Sequence, residues 1–140
     1  MLPILEPLQP EALQHARDLG DAFQLTNFLR DINEDLDRNR QYVPQEDLRR
    51  FGVDLTLRRR TPEFVALMQF EIERCRELYA SADFGLGMLP PQSARCIRAA
   101  RVLYSRILDK IEEADYDVFA KRVRVSTVEK ATMVARLLRP

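Results

Sequence analysis

A single histidine, His15, is all that the 140-residue chain holds, which removes histidine-built zinc sites and serine–histidine catalysis from contention. Its two cysteines, Cys75 and Cys96, make no C-x-x-C pair and have no secretory context, so they read as reduced, structural, helix-borne thiols. Net charge is missing too, because 22 basic residues balance 22 acidic ones. The basic clusters Arg58-Arg59-Arg60 and Lys121-Arg122 with Arg124 are short and interrupted, which argues against a nucleic-acid footprint. Apolar runs fall well short of the roughly 18 residues that a spanning helix needs. The opening Met1-Leu2-Pro3-Ile4-Leu5-Glu6-Pro7 is too short, too proline-broken and too acidic for a signal peptide. These absences leave a cytoplasmic chain of one domain with a modest core.

Strand-like alternation is also missing, and what remains is helical. Pro3, Pro7 and Pro10 make residues 1–10 an extended lead-in, with Pro10 suited to a first helical turn. From Glu11 to about Asp37 the pattern reads as one long helix with Gly20 as its weak point. A short helix opens at Pro44 and stops near Gly52. Thr61-Pro62-Glu63 starts a second long helix, with a packing seam through Val65, Met68, Ile72, Cys75, Tyr79 and Ala82. Gly85, Gly87, Pro90 and Pro91 end it. A third helix repeats the spacing through Ile97, Ala100, Tyr104, Ile107, Ile111 and Ala114. Ser126-Thr127-Val128-Glu129 has capping-box form and leads a helix to about Leu138. The expected class is all-α over residues 11–140.

Chemistry concentrates on the first helix. Asn27, Asp31 and Asp35 fall four apart and stack as one oxygen-bearing stripe. The stripe borders an apolar face built by Leu25, Phe28, Leu29, Ile32 and Leu36. Like charges one turn apart repel, so carboxylates placed beside a buried face call for a cation. Magnesium takes one or two carboxylates, keeps waters and completes its shell with phosphate oxygens. The other reading is ordinary solvated surface charge, since D-x-x-x-D is a short pattern.

The wording around the stripe is longer and more specific. Gln24-Leu25-Thr26-Asn27-Phe28-Leu29-Arg30-Asp31-Ile32-Asn33-Glu34-Asp35, followed by Arg40-Gln41-Tyr42-Val43-Pro44-Gln45, resembles the second aspartate-rich motif of the squalene/phytoene synthase family. Ala99 to Tyr104, Ile107 to Glu112 and Asp115-Tyr116-Asp117-Val118-Phe119 are similar to the C-terminal helices of its bacterial phytoene synthases. The resemblance implies a helical bundle like the C-terminal half of the isoprenoid synthase fold. It also implies a Mg²⁺-dependent, head-to-head condensation of two prenyl diphosphates, geranylgeranyl diphosphate in the carotenoid branch.

By position, the resemblance makes Asn27, Asp31 and Asp35 metal ligands, and makes Gln24, Arg30, Tyr104 and Lys121 contacts to the substrate diphosphate. Lys121 departs from the arginine usual in the family and would lose bidentate phosphate geometry. For Tyr104 a plain core role stands beside the diphosphate role. Arg40 and Tyr42 are either site residues or a loop anchor, and Phe23 and Phe28 either line a cavity or simply fill the core. The family's enzymes are about twice this length, and no second D-x-x-x-D occurs here. The chain therefore reads as a half lacking the first aspartate-rich motif. It would need an N-terminal half, a partner chain or self-association to cover its apolar faces. A non-catalytic self-association module and one subunit of a split synthase are the competing readings. A lipid product would bring such an enzyme to a membrane surface, although no basic amphipathic anchor stands out.

Overall fold

The computed structural model describes residues 11–138, which are helix, turn and connecting loop with no strand among them. The helices are α1 (Glu11–Arg30), α2 (Ile32–Asp37), α3 (Gln45–Phe51), α4 (Pro62–Leu86), α5 (Pro91–Glu113) and α6 (Thr127–Leu137), with a 3₁₀ turn at Leu55–Leu57. The all-α expectation holds. The expected lead-in over residues 1–10 lies outside the described residues. Among the described residues, no helix is long and apolar enough to cross a membrane.

Helix α4 organises the core. Thr61 caps it by accepting a hydrogen bond from the Phe64 N–H at 3.1 Å, with Pro62 in the first turn, where a missing N–H costs nothing. Its expected seam is buried from Met68 to Ala82, but Val65 is half-buried and Phe64, Leu67 and Glu71 are enclosed instead. The reason is that α4 packs against α1, α3 and α5 together, so more than one stripe is covered. Cys75 sits in this interface, where burial pushes its thiol up to about 11. That agrees with an inert structural cysteine. On α5, Ile107 and Ile111 are buried as expected, while Ile97, Ala100 and Tyr104 are half-buried and Ala114 is an exposed C-cap.

Glu71 is a buried acid that the hydrophobic pattern hid. Arg74 Nη1 spans Asp47 Oδ2 at 3.1 Å and Glu71 Oε2 at 3.5 Å. Burial pushes the Glu71 carboxyl well above the usual glutamate range, and its bond to Asp47 adds to this. The same bond, with Arg74 nearby, holds Asp47 down. Arg74 thus ties Asp47 of α3 to Glu71 of α4, and Glu71 Oε1 is buried without a hydrogen-bond partner.

The expected single helix from Glu11 to Asp37 is broken, though not at Gly20. Asp31 lies at φ −99° and ψ 14°, in the sparsely allowed bridge region. The bonds from Asp31 N–H to Asn27 O (2.9 Å) and from Asp35 N–H to Asp31 O (2.8 Å) run through the kink, so the helical register survives. Arg30 grips the carboxylate of its direct neighbour Asp31, a contact that successive residues on a regular helix do not make. Gly20 stays helical because its loss of roughly 1 kcal/mol in propensity is outweighed by tertiary packing of α1. At Gly85 the close approach is real: a Cβ there would lie 2.4 Å from the Cβ of His15.

Candidate metal and diphosphate site

The kink places the acidic stripe at the junction of α1 and α2. Asn27, Asp31 and Asp35 are all half-buried, and Gln24, one turn earlier, is exposed. Asp31 Oδ1 accepts from Arg30 Nε at 2.8 Å and from Arg122 Nε at 3.2 Å, while Arg30 Nη2 reaches Oδ2 at 3.2 Å. Burial works against ionisation of Asp31, but the two guanidinium groups outweigh it and hold the carboxyl below its ordinary value. Asp35 is pushed the other way, first by burial and then by Asp31.

The Asn27 Oδ1 atom is buried and has no hydrogen-bond partner. Leaving such an acceptor unsatisfied costs about 1–3 kcal/mol, which a cation would offset. One amide oxygen and two carboxylates are the hard donors that Mg²⁺ takes, so these residues fit the ion. They do not close a full shell. Among the described residues no group of three or more His, Cys, Asp or Glu side chains is placed to hold a metal, so phosphate oxygens, water or further protein must supply the remaining ligands.

Beside the stripe opens a cleft of about 770 Å³. Its basic side carries Arg30, Arg122, Arg124 and Lys130, and its apolar side carries Leu103, Ile107 and Val123, with Tyr104 on the wall. Positive charge next to apolar surface suits an anion with a hydrocarbon tail. Lys121 is exposed and lines a neighbouring depression with Lys110 and Arg124. The residue that reaches Asp31 is Arg122, which the sequence reading did not single out. Both belong to one short basic cluster, and only the path of the loop separates them. That path is set by Asp115 and Tyr116, both with positive φ (56° and 63°). Asp117 Oδ1 then accepts from the N–H groups of Phe119 and Ala120, and Val118 is buried.

Tyr104 is half-buried. It lines the cleft and packs on Phe23, ring centroids 4.6 Å apart. Phe23 in turn meets Tyr79 edge-on at 6.1 Å and lines an apolar pocket of about 190 Å³ with Ala16, Leu19, Ala82 and Leu86. The Phe23–Tyr104 pair therefore stands between the charged cleft and the apolar pocket. Phe28 stacks on Tyr42 at 4.4 Å with planes 9° apart, and the Arg40 N–H bonds to Asp35 O at 2.8 Å. These contacts fold the loop after α2 back onto the stripe, the geometry of a loop anchor.

The sequence model of the squalene/phytoene synthase family matches residues 1–129. The chain belongs to that family. It is 41% identical over 124 residues to a 15-cis-phytoene synthase of Synechococcus elongatus, covering 86% of this chain and 40% of that protein. With a phytoene synthase of Thermus thermophilus the identity is 40% over 129 residues, 90% of this chain and 44% of the relative. Among solved structures, a dehydrosqualene synthase in complex with ligand superposes with a TM-score of 0.84 at 27% identity, covering 94% of this chain and 48% of that one. Squalene synthase HpnC from Alicyclobacillus acidocaldarius gives 0.78 at 29% identity, over 83% and 45%. The helical bundle is thus part of the isoprenoid synthase fold. The chain spans about 40% of the length of the first curated relatives it matches.

Proposed function

We propose that residues 11–140 form the metal- and diphosphate-binding part of a head-to-head prenyltransferase, which condenses two geranylgeranyl diphosphates to phytoene and releases diphosphate. The observation that carries this reading is the Arg122–Asp31 bond, which sets the basic cleft directly against the acidic stripe. Asn27, Asp31 and Asp35 would hold Mg²⁺, which when bound acts as a Lewis acid on the departing diphosphate. Arg30 and Arg122 supply guanidinium donors for the phosphate oxygens, and Tyr104 a hydroxyl on the cleft wall. Gln24, exposed one turn above the stripe, and Lys121 at the neighbouring depression add an amide and a positive charge at the mouth.

Ionisation breaks the allylic C–O bond, and the electron pair leaves with the diphosphate. The double bond of the second substrate attacks the resulting allylic cation, and a cyclopropylcarbinyl diphosphate forms on loss of a proton. A second ionisation expels the remaining diphosphate with its electron pair, and the resulting cation rearranges and loses a proton to give phytoene. The residues here serve this sequence by neutralising the leaving group and by excluding water from the cations. Phe23 borders the apolar pocket, where its ring face can stabilise positive charge. Phe28, stacked on Tyr42, stiffens the loop beside Asp35. The first aspartate-rich motif would come from polypeptide outside these residues, in the same chain or in a partner. The product's solubility places the working enzyme at a membrane surface. Asp31→Ala and Asp35→Ala are each expected to abolish Mg²⁺-dependent diphosphate release in the complete enzyme. Retained turnover in either variant removes the metal role.

A further inference from the structure

We infer that Arg122 is a competing counter-ion of the metal site, paired with Asp31 until a diphosphate draws it into the cleft, so that Asp31 accepts a divalent cation readily only in company with the anion. The inference rests on the proposed function and deepens it.

Both oxygens of Asp31 are engaged: Oδ1 by Arg30 Nε and Arg122 Nε, Oδ2 by Arg30 Nη2. A metal ion approaching Oδ1 meets two positive charges at contact distance, and at least one must withdraw. The two arginines are not equally free to do so. Arg30 is the adjacent residue in the chain and holds the carboxylate with two donors. Arg122 comes from a loop 91 positions away and donates from Nε alone. Its terminal amino groups have no protein acceptor among the described residues. Its side chain is 38% exposed and borders both the 770 Å³ cleft and the depression beside it, so it has somewhere to go. A guanidinium with its fork unused is suited to bidentate phosphate binding, which an exposed single-donor contact to a carboxylate does not match. Anion binding therefore removes the charge that opposes the cation, and the two ligands assist each other reciprocally.

Calorimetric titration of the chain with Mn²⁺, in the absence of any diphosphate, tests the idea directly. Arg122→Gln is expected to bind Mn²⁺ about fivefold more tightly than the parent chain, the size of one part-exposed ion pair. Arg58→Gln, which removes a cation paired with Asp37 on α2 without touching Asp31, is expected to leave the affinity unchanged. With inorganic diphosphate matched in cell and syringe, the parent chain should gain roughly tenfold in Mn²⁺ affinity, and Arg122→Gln should lose most of that gain. An Arg122→Gln affinity for the metal alone equal to or below the parent's overturns the inference, as does an equal rise in Arg58→Gln. If Asp31→Asn still abolishes Mn²⁺ binding in that case, the metal site stands without the exchange. If Asp31→Asn and Asp35→Asn leave Mn²⁺ binding intact in every condition, the metal site itself is wrong and the inference goes with it.

Discussion

Two interfaces of this molecule are built from different physics. Between α1 and α4 the contact is closed and largely apolar, with Ala22, Cys75 and Tyr79 buried in it. Its few polar groups satisfy one another: Thr26 donates to Ala22 O at 2.7 Å and pairs with the Tyr79 hydroxyl at 2.7 Å. Between α5 and α6 no α6 residue is buried, and Val128 is 75% exposed. There half-buried Met133 packs on the core beside a charged contact, in which Glu129 takes Lys110 Nζ at 2.5 Å and Arg106 Nε at 3.4 Å. Arg106 also reaches Glu113, and across α5 Arg76 pairs with Asp109 and Glu112. Apolar burial is indifferent to salt, whereas exposed ion pairs are screened. The acidic stripe thus stands on the rigid interface. The far wall of the cleft, with Ser126, Thr127 and Lys130, belongs to the adjustable one.

The contrast is broken most severely from the apolar side. Phe64→Ala empties a fully buried site and is expected to lower stability by about 3–5 kcal/mol, read as a fall in the urea midpoint. Gly85→Ala forces α1 and α4 apart at His15 and should cost about 1–3 kcal/mol. Gly20→Ala provides the matched control: a Cβ there meets nothing within 4 Å, so it should stabilise the chain by about 0.5–1 kcal/mol. A thermal melt showing the same sign for both glycine changes would refute the close approach.

The buried acid pair adds a pH test. Folded Glu71 keeps its proton above the ordinary value of 4.5, so the native state binds more protons than the unfolded chain as pH rises past that point. Stability is then full below 4.5 and declines through neutral pH until folded Glu71 itself ionises. Glu71→Gln should flatten this decline, checked by denaturant midpoints from pH 5 to about pH 9. The smallest effect belongs to the charged interface. Glu129→Gln should speed amide exchange in α6 while leaving α4 protected. About 1 M salt, where the screening length falls to roughly 3 Å, should do the same to the parent chain.

Much of this was legible in the chain. Capping signals placed α4 and α6 correctly, because Thr61 and Ser126 act locally on the first turn of each helix. The capping box at α6 is only half formed. Ser126 accepts from the Glu129 N–H, but the Glu129 side chain turns to α5 instead, a choice made by Lys110 and Arg106 from another helix. The kink at Asp31 was not legible, since helical spacing runs unbroken through it. Glu71 is not legible because periodicity tracks apolar residues and is blind to a buried acid. Arg122 rather than its neighbour Lys121 meets Asp31, because neighbouring residues of one charge differ in where the backbone points them.

What the sequence determined by itself is the set of local interactions: the helices, most of their ends, the stripe of Asn27, Asp31 and Asp35, and membership of a family through the wording around it. Each depends on residues within a few turns of one another, whose geometry the helical repeat already sets. The tertiary structure decided which charge faces which: Arg122 on Asp31, Arg74 across Asp47 and Glu71, Glu129 on Lys110. Those pairings depend on how loops and helices close on one another, and no periodicity along the chain encodes that.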